Sequence, residues 1–394
     1  MMTAAPAKSS GRAPIRIPVT LVTGFLGSGK TTMINAALRA PEMARTVVVV
    51  NEFGEVGLDH QLVTASSDQV MVLENGCLCC TVRGDLIGTL NGLYHDRAAG
   101  RIPSFDHVVI ESSGLAEPGP VLQAFLSEPT LDGLYRVATV ITLVDAVNWK
   151  ETAERHDEAL RQVAFADKVV LTKLDLPGEV GLEAAVRADI ADLNPVAEVM
   201  SIDLSPKIVA SLLTTPGFDA ADPKADPRPW LRLTQHLARQ EAEEHHGHDH
   251  HHDHDHDQDH DGHTAHYHLR GKGIESFVLL REKPLSREEL QFLLDGITQN
   301  LGTGLLRVKG LVNIADETGK PAVIQGAQHL LHTMTWLERW PDKDHRTRIV
   351  FITQGITGAE LREIVELLDR VGQRTFKARE AARMLEEASR RLTK

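Results

Sequence analysis

Gly24-Phe25-Leu26-Gly27-Ser28-Gly29-Lys30-Thr31 decides the fold. It satisfies G-x-x-x-x-G-K-[ST] at every fixed position. An apolar run, Pro18 to Thr23, precedes it, and a helical pattern, Thr31 to Ala40, follows. That context predicts a strand, a phosphate-wrapping loop and a helix whose N-terminus favours anions. Gly24, Gly27, Ser28 and Gly29 let backbone N–H groups face phosphate oxygens. Lys30 is expected to reach the β and γ phosphates, with Thr31 on Mg²⁺ and Thr32 beside it.

Outward from this loop, further runs read as strands covered on both faces, because they are β-branched without alternation. They are Thr46–Val50, His107–Ile110, Ala138–Val144 and Lys168–Leu171. Helical patterns fit Val82–Tyr94, Val121–Leu126, Asp157–Ala164 and Gly181–Leu193. Alternating strands and helices imply an α/β domain with a mostly parallel sheet, spanning 18–205. Residues 1–17 read as a disordered tail with no secretory signal, which points to a cytoplasmic protein. The Pro- and Asp-bearing stretch from 206 reads as a linker to 269. A small α+β domain is expected over 270–370. It comprises Ile274–Leu280, helix Ser286–Leu293, Leu305–Val312, Ala322–Gln325 and a strand near Thr347–Thr353. An amphipathic helix, Lys377–Leu392, falls in the final segment, 371–394.

Two further stretches belong to the nucleotide reading. In Asp106-His-Val-Val-Ile-Glu111-Ser-Ser-Gly114, an acid ends a strand and a glycine follows three residues on. Such an acid orients Mg²⁺, and such a glycine lets its N–H approach the γ-phosphate. Thr172-Lys173-Leu174-Asp175 directly follows the strand Lys168–Leu171. Asp175 can accept two hydrogen bonds from guanine, and the Lys173 stem can cover the ring, with Thr172 opening the element.

The net charge is −13, which argues against a general nucleic-acid binder. Most of that charge is local. Residues 241–268 hold nine acids and no Lys or Arg, leaving 46 acids against 42 bases elsewhere. The same stretch carries 12 of the 20 histidines. His245, His246, His248, His250, His251, His252, His254 and His256 open it, interleaved with Asp, and suit low-affinity metal collection. His60, His95 and His107 read as surface or hydrogen-bonded histidines, and Trp336 and Trp340 as core or interface aromatics. The longest nearly apolar run is too short to span a bilayer, so no membrane role is expected.

All three cysteines, Cys77, Cys79 and Cys80, fall within four residues. Adjacent Cys79 and Cys80 suit no relaxed disulfide with each other. Three thiolates on a short loop suit Zn²⁺, Co²⁺ or Cu⁺ and leave a fourth position open, as an exchangeable ion needs.

The sequence resembles the CobW-like family of metal-handling phosphate-loop GTPases. The resemblance rests on Gly24–Thr31, Asn51-Glu-Phe-Gly-Glu-Val-Gly-Leu-Asp59, Gly76-Cys-Leu-Cys-Cys80, Glu111-Ser-Ser-Gly-Leu-Ala-Glu-Pro118 and Thr172–Asp175. Arg307-Val-Lys-Gly310 and Val323-Ile-Gln-Gly-Ala-Gln328 resemble the family's C-terminal domain. It implies a Mg²⁺-dependent GTPase that carries Zn²⁺, or Co²⁺ next, to a client metalloprotein. Cys77, Cys79 and Cys80 would be the metal ligands, with Lys30, Thr31 and Glu111 on Mg-GTP and Lys173 and Asp175 on guanine. Glu52, Glu55 and Asp59 fall in the first switch-like segment, where any could complete the metal shell or position water. No motif supplies a catalytic Gln or an arginine finger, so intrinsic hydrolysis is expected to be slow, with a client or a GTP-dependent homodimer partner completing the site. A metal store or sensor regulated by nucleotide, a maturation factor for one metalloenzyme or for cobalt handling, and a phosphate-loop kinase or transferase are the competing readings.

Overall fold

A computed structural model describes residues 16–51, 71–75, 82–176, 180–215, 217–218, 226–228 and 273–375, apart from 316, 318, 329, 332–333, 369 and 373. Its first sheet has strands β1 (Ile17–Gly24), β2 (Thr46–Asn51), β3 (Met71–Asn75), β4 (His107–Glu111), β5 (Tyr135–Asp145), β6 (Lys168–Thr172) and β7 (Glu198–Ser201). Their order is β3-β2-β4-β1-β5-β6-β7, and every pairing is parallel. All C-terminal strand ends therefore share one edge, the usual ligand edge of open α/β sheets.

The strands read as continuous apolar runs because both faces are covered. Ile17, Val19 and Leu21 of β1 join one core with α2 (Val82–Ala98), α3 (Pro118–Ser127), α6 (Asp157–Phe165) and α7 (Leu182–Leu193). Val22 joins the opposite core with α1 (Lys30–Ala37) and α8 (Pro206–Thr214). Short helices α4 (Pro129–Leu134) and α5 (Trp149–Arg155) flank β5. The segment read as linker from residue 206 thus opens with α8, a helix that packs on the sheet. Pro206 sits where a helix tolerates proline, at its first turn. Val209, Ala210 and Leu213 are buried, and Thr20 Oγ1 donates to the Leu213 carbonyl at 2.8 Å. Lys377–Leu392 lies outside the described residues.

The second sheet is antiparallel, with order β11-β10-β9-β13-β8 and β12 beside β10. Its strands are β8 (Ile274–Arg281), β9 (Leu305–Val312), β10 (Ala322–Ala327), β11 (Leu330–Leu331), β12 (Thr335–Trp336) and β13 (Thr347–Gln354). Strand alternation divides its side chains between two cores. Ile349 and Phe351 face α9 (Arg287–Leu301) and helix α10 (358–368), while Val350 and Ile352 belong to the core shared with the first domain. A capping box at Ser286 and Glu289 starts α9. The helix runs past the expected Leu293 because Leu294, Ile297 and Leu301 continue its buried stripe.

A buried ion cluster locks the two domains together. Asp167, between α6 and β6, accepts from Arg307 Nη2 and Lys309 Nζ, both at 2.5 Å. Its second oxygen accepts the Val140 N–H at 2.8 Å. Burial alone would raise the Asp167 carboxyl, but Arg307 and Lys309 bring it down to about 2.

Candidate nucleotide site

The phosphate loop closes the C-terminal end of β1. Gly24, Gly27 and Gly29 all have positive φ, at 141°, 71° and 94°. At Gly24 a side chain is excluded twice over, because a Cβ would also strike the Leu143 carbonyl of β5. Lys30 is 8% exposed, and its ammonium donates to the Gly24 and Phe25 carbonyls at 2.8 and 3.2 Å. Thr32 is exposed on the first turn of α1.

Glu111 ends β4 beside β1, in register with Val22. The Ser112 N–H continues this pairing to the Val22 carbonyl at 2.9 Å. This places the buried Glu111 against α1, where Thr31 Oγ1 donates to its Oε1 at 2.7 Å. Gly114 then passes over the phosphate loop. A Cβ there would lie 2.8 Å from the Leu26 N and 2.9 Å from its Cα.

At the next strands, Thr172 Oγ1 donates to the Ser28 carbonyl at 2.9 Å and lies 3.2 Å from the Val144 carbonyl. This ties Thr172–Asp175 to the phosphate loop. Lys173 adopts a left-handed φ of 61° and pairs with Asp145 at 2.7 Å. Asp175 is exposed. Asp145, the last residue of β5, joins the site from outside any of the sequence motifs. It also accepts from Asn148 Nδ2 at 2.7 Å. Burial opposes its ionisation, but the hydrogen bonds from Lys173 and Asn148 prevail and hold its carboxyl below the ordinary value. Its one sequence signal is a strand-terminal acid inside an apolar run, the same signal that marked Glu111.

The structure thus brings together Gly24, Gly27, Ser28, Gly29, Lys30, Thr31, Glu111, Gly114, Thr172 and Lys173 at one sheet edge. Cys77, Cys79 and Cys80, residues 52–59, His60 and the run that includes His245, His246, His248, His250, His251, His252, His254 and His256 lie outside the described residues. Among the described residues, no group of three or more His, Cys, Asp or Glu could hold a metal ion. His95 is exposed, and His107 is buried and hydrogen-bonded to Thr20 Oγ1 at 2.9 Å. Trp336 lies in β12 under the Arg287 guanidinium, and Trp340 stacks on His345. No helix among the described residues is long and apolar enough to cross a membrane.

A parallel sheet carrying this loop, a strand-end Glu beside the loop threonine, and Thr-Lys-Leu-Asp at a later strand end define a phosphate-loop GTPase. The profile of the CobW/HypB/UreG nucleotide-binding domain matches residues 18–201, and that of the cobalamin synthesis protein cobW C-terminal domain matches residues 274–368. The chain is 31% identical over 346 residues to the zinc chaperone YjiA of Escherichia coli (strain K12), covering 88% of this chain and 96% of that protein. It is 34% identical over 264 residues to the zinc chaperone CobW of Sinorhizobium sp, covering 59% and 70% respectively. Zinc-regulated GTPase metalloprotein activator 1 of Dictyostelium discoideum is 28% identical over 338 residues, covering 76% of this chain and 63% of that protein. The crystal structure of Zn(II)-bound YjiA GTPase from E. coli superposes with a TM-score of 0.60 at 25% identity, covering 90% of this chain and 99% of that one. The chain belongs to the CobW family of GTPases.

Proposed function

We propose that this GTPase is a metallochaperone. It takes up a transition-metal ion, Zn²⁺ first and Co²⁺ next, on Cys77, Cys79 and Cys80. It passes the ion to a client metalloprotein as GTP is hydrolysed. The observation that carries the reading is the likeness along almost the whole length of a protein named a zinc chaperone. Two features of this chain support it. β3 ends at Asn75, two residues before Cys77, on the same sheet edge as the phosphate loop. Three thiolates in four residues are also a donor set for a borderline ion.

In this reading, N–H groups of Gly27, Ser28, Gly29, Lys30, Thr31 and Thr32 surround the phosphates, and Gly24 makes the turn that lets them do so. Lys30 exchanges its carbonyl partners for phosphate oxygens. Thr31 and Glu111 suit Mg²⁺, since their hydroxyl and carboxylate already meet at 2.7 Å as hard oxygen donors. Bound there, Mg²⁺ would neutralise phosphate charge. The Gly114 N–H faces the γ-phosphate. Thr172 fixes the base-reading turn, the Lys173 stem covers the purine, and the exposed Asp175 carboxylate accepts from guanine N1 and N2. The histidine run collects metal ions at low affinity and feeds the cysteines.

Thiolate-to-cobalt charge-transfer absorption tests the metal site, because it reports sulfur ligation and ignores imidazole. The chain should show this band on titration with Co²⁺, and Cys79→Ser should weaken both the band and the affinity. Undiminished thiolate binding in Cys79→Ser would overturn the site.

A further inference from the structure

Helix α6 touches two parts of the molecule that are far apart in sequence. On one side it holds the segment after Glu111. The Gln162 side chain is fully buried, and its Nε2 donates to the carbonyls of Gly114 and Ala116, both at 3.1 Å. The backbone carbonyl of Gln162 accepts from Thr142 Oγ1 of β5 at 2.8 Å, so the helix is fixed to the sheet at that point. Arg161 reaches the same segment, donating to Glu117.

On the other side α6 meets the C-terminal sheet. Arg161 Nε donates to Gln354 Oε1, at the end of β13, at 2.7 Å. Arg307 of β9 donates to the Phe165 carbonyl at the last turn of α6. The helix after the segment, α3, is gripped as well. Gln123 donates to Gln328, and a Cβ on Gly119 would lie 2.9 Å from Gln328 Nε2. Gln328 itself holds a left-handed φ of 54°, a conformation that costs a non-glycine residue free energy and persists because its surroundings impose it.

We infer that Arg161 and Gln162 form a relay that makes nucleotide state and the seating of the C-terminal sheet one coupled equilibrium. The inference rests on Gly114 being the glycine that faces the γ-phosphate. A displacement of Gly114 pulls on the Gln162 amide and, through Glu117, on the Arg161 guanidinium. That guanidinium also holds Gln354, so the end of β13 follows. Because binding linkage is reciprocal, loosening Gln354 must change nucleotide preference at a site it does not touch. Arg161 and Gln354 are positioning residues, since neither contacts the phosphate loop.

Arg161→Ala and Gln354→Ala in the full chain test this. Hydrogen exchange at residues 347–354 is compared with GDP and with a slow-hydrolysing GTP analogue, and the two nucleotide affinities are measured alongside. The unsubstituted chain should exchange differently in the two states. Both variants should lose most of that difference while melting as folded proteins. Their analogue-to-GDP affinity ratio should shift in the same direction, by about fivefold or more. Arg161→Lys keeps the charge but not the fork that reaches two partners, so it should fall between. Variants that retain the nucleotide-dependent exchange difference would overturn the relay. So would an unsubstituted chain that binds both nucleotides without any difference at 347–354. If the unsubstituted chain binds neither nucleotide, the nucleotide-site reading fails and the relay fails with it.

Discussion

Asp167→Asn should loosen the joint between the domains, because it disables the acceptor that two cations share. Asp167 is the shared acceptor for Arg307 and Lys309, whose side chains are only 11% and 2% exposed. The amide keeps the volume but removes the charge and puts an NH₂ donor in place of one of the two acceptor oxygens. Breaking a buried ion pair from one side costs about 3–5 kcal/mol, because the remaining charge stays in a low-dielectric site. The carboxyl is held at about 2 against an ordinary 3.8. That shift alone corresponds to about 2 kcal/mol favouring the ionised form. The folded pKa is depressed, so this contribution is present above about pH 4 and is lost as pH falls toward 2. At pH 7 the substitution should lower the melting temperature by on the order of 10 °C. Calorimetry would also show whether the domains begin to melt separately. Asp167→Asn combined with Lys309→Met should recover part of the loss, because one stranded cation is removed. A change within about 0.5 kcal/mol for the single variant, the range of an ordinary surface substitution, would refute the reasoning. So would a double variant no more stable than the single one.

His107 is predicted to make stability pH-dependent in a higher window. Burial first, then nearby Arg136, lowers its pKa from 6.5 to about 4, against opposing effects of Asp106 and the Leu213 carbonyl. The folded state takes up the proton late, so stability should fall by about 3 kcal/mol as pH drops from 6.5 to 4. His107→Gln, which keeps a polar group beside Thr20, should flatten urea-unfolding midpoints over that range. Gly114→Ala should destabilise the fold by about 1–3 kcal/mol, because its Cβ meets backbone atoms of Leu26, and should weaken binding of a GTP analogue by displacing the N–H that faces the γ-phosphate. Equilibrium titration with a fluorescent analogue checks this. Deleting residues 245–268 should lower the Zn²⁺ bound per chain, read by elemental analysis, while leaving the GDP dissociation constant unchanged.

What the sequence made legible, it made legible through local chemistry. The run Gly24–Thr31 needs left-handed glycines and a helix start in a fixed order, and both are written in consecutive residues. The central strands announced themselves because residues such as Val19, Leu21 and Val22 are buried on opposite faces of the same strand. The edge strands did not. β7, Glu198–Ser201, is short and half polar, and β3, Met71–Asn75, is only five residues long and lies directly before the cysteine motif. α8 was concealed by Pro206 and the Asp-rich stretch beyond it. Its buried Val209, Ala210 and Leu213 show helical spacing only once the helix is seen. The pairs that assemble the site and join the domains had no local signature. Lys173 with Asp145, Arg161 with Gln354, and Asp167 with Arg307 and Lys309 meet only through the topology of two sheets. Asp167 reads in sequence as an ordinary acid between a helix and a strand.

If the ion leaves the cysteines as GTP is hydrolysed, nucleotide state must govern metal affinity there. The most direct test is a Zn²⁺ competition titration against a chromophoric chelator, run once with GDP and once with a slow-hydrolysing GTP analogue. A variant lacking residues 245–268 serves as a parallel sample, so that imidazole binding does not mask the thiolate site. Coupling of about 1–3 kcal/mol, an ordinary value for linked sites, predicts tighter Zn²⁺ binding with the analogue by about 5- to 150-fold. Equal Zn²⁺ affinities in the two nucleotide states would contradict the account.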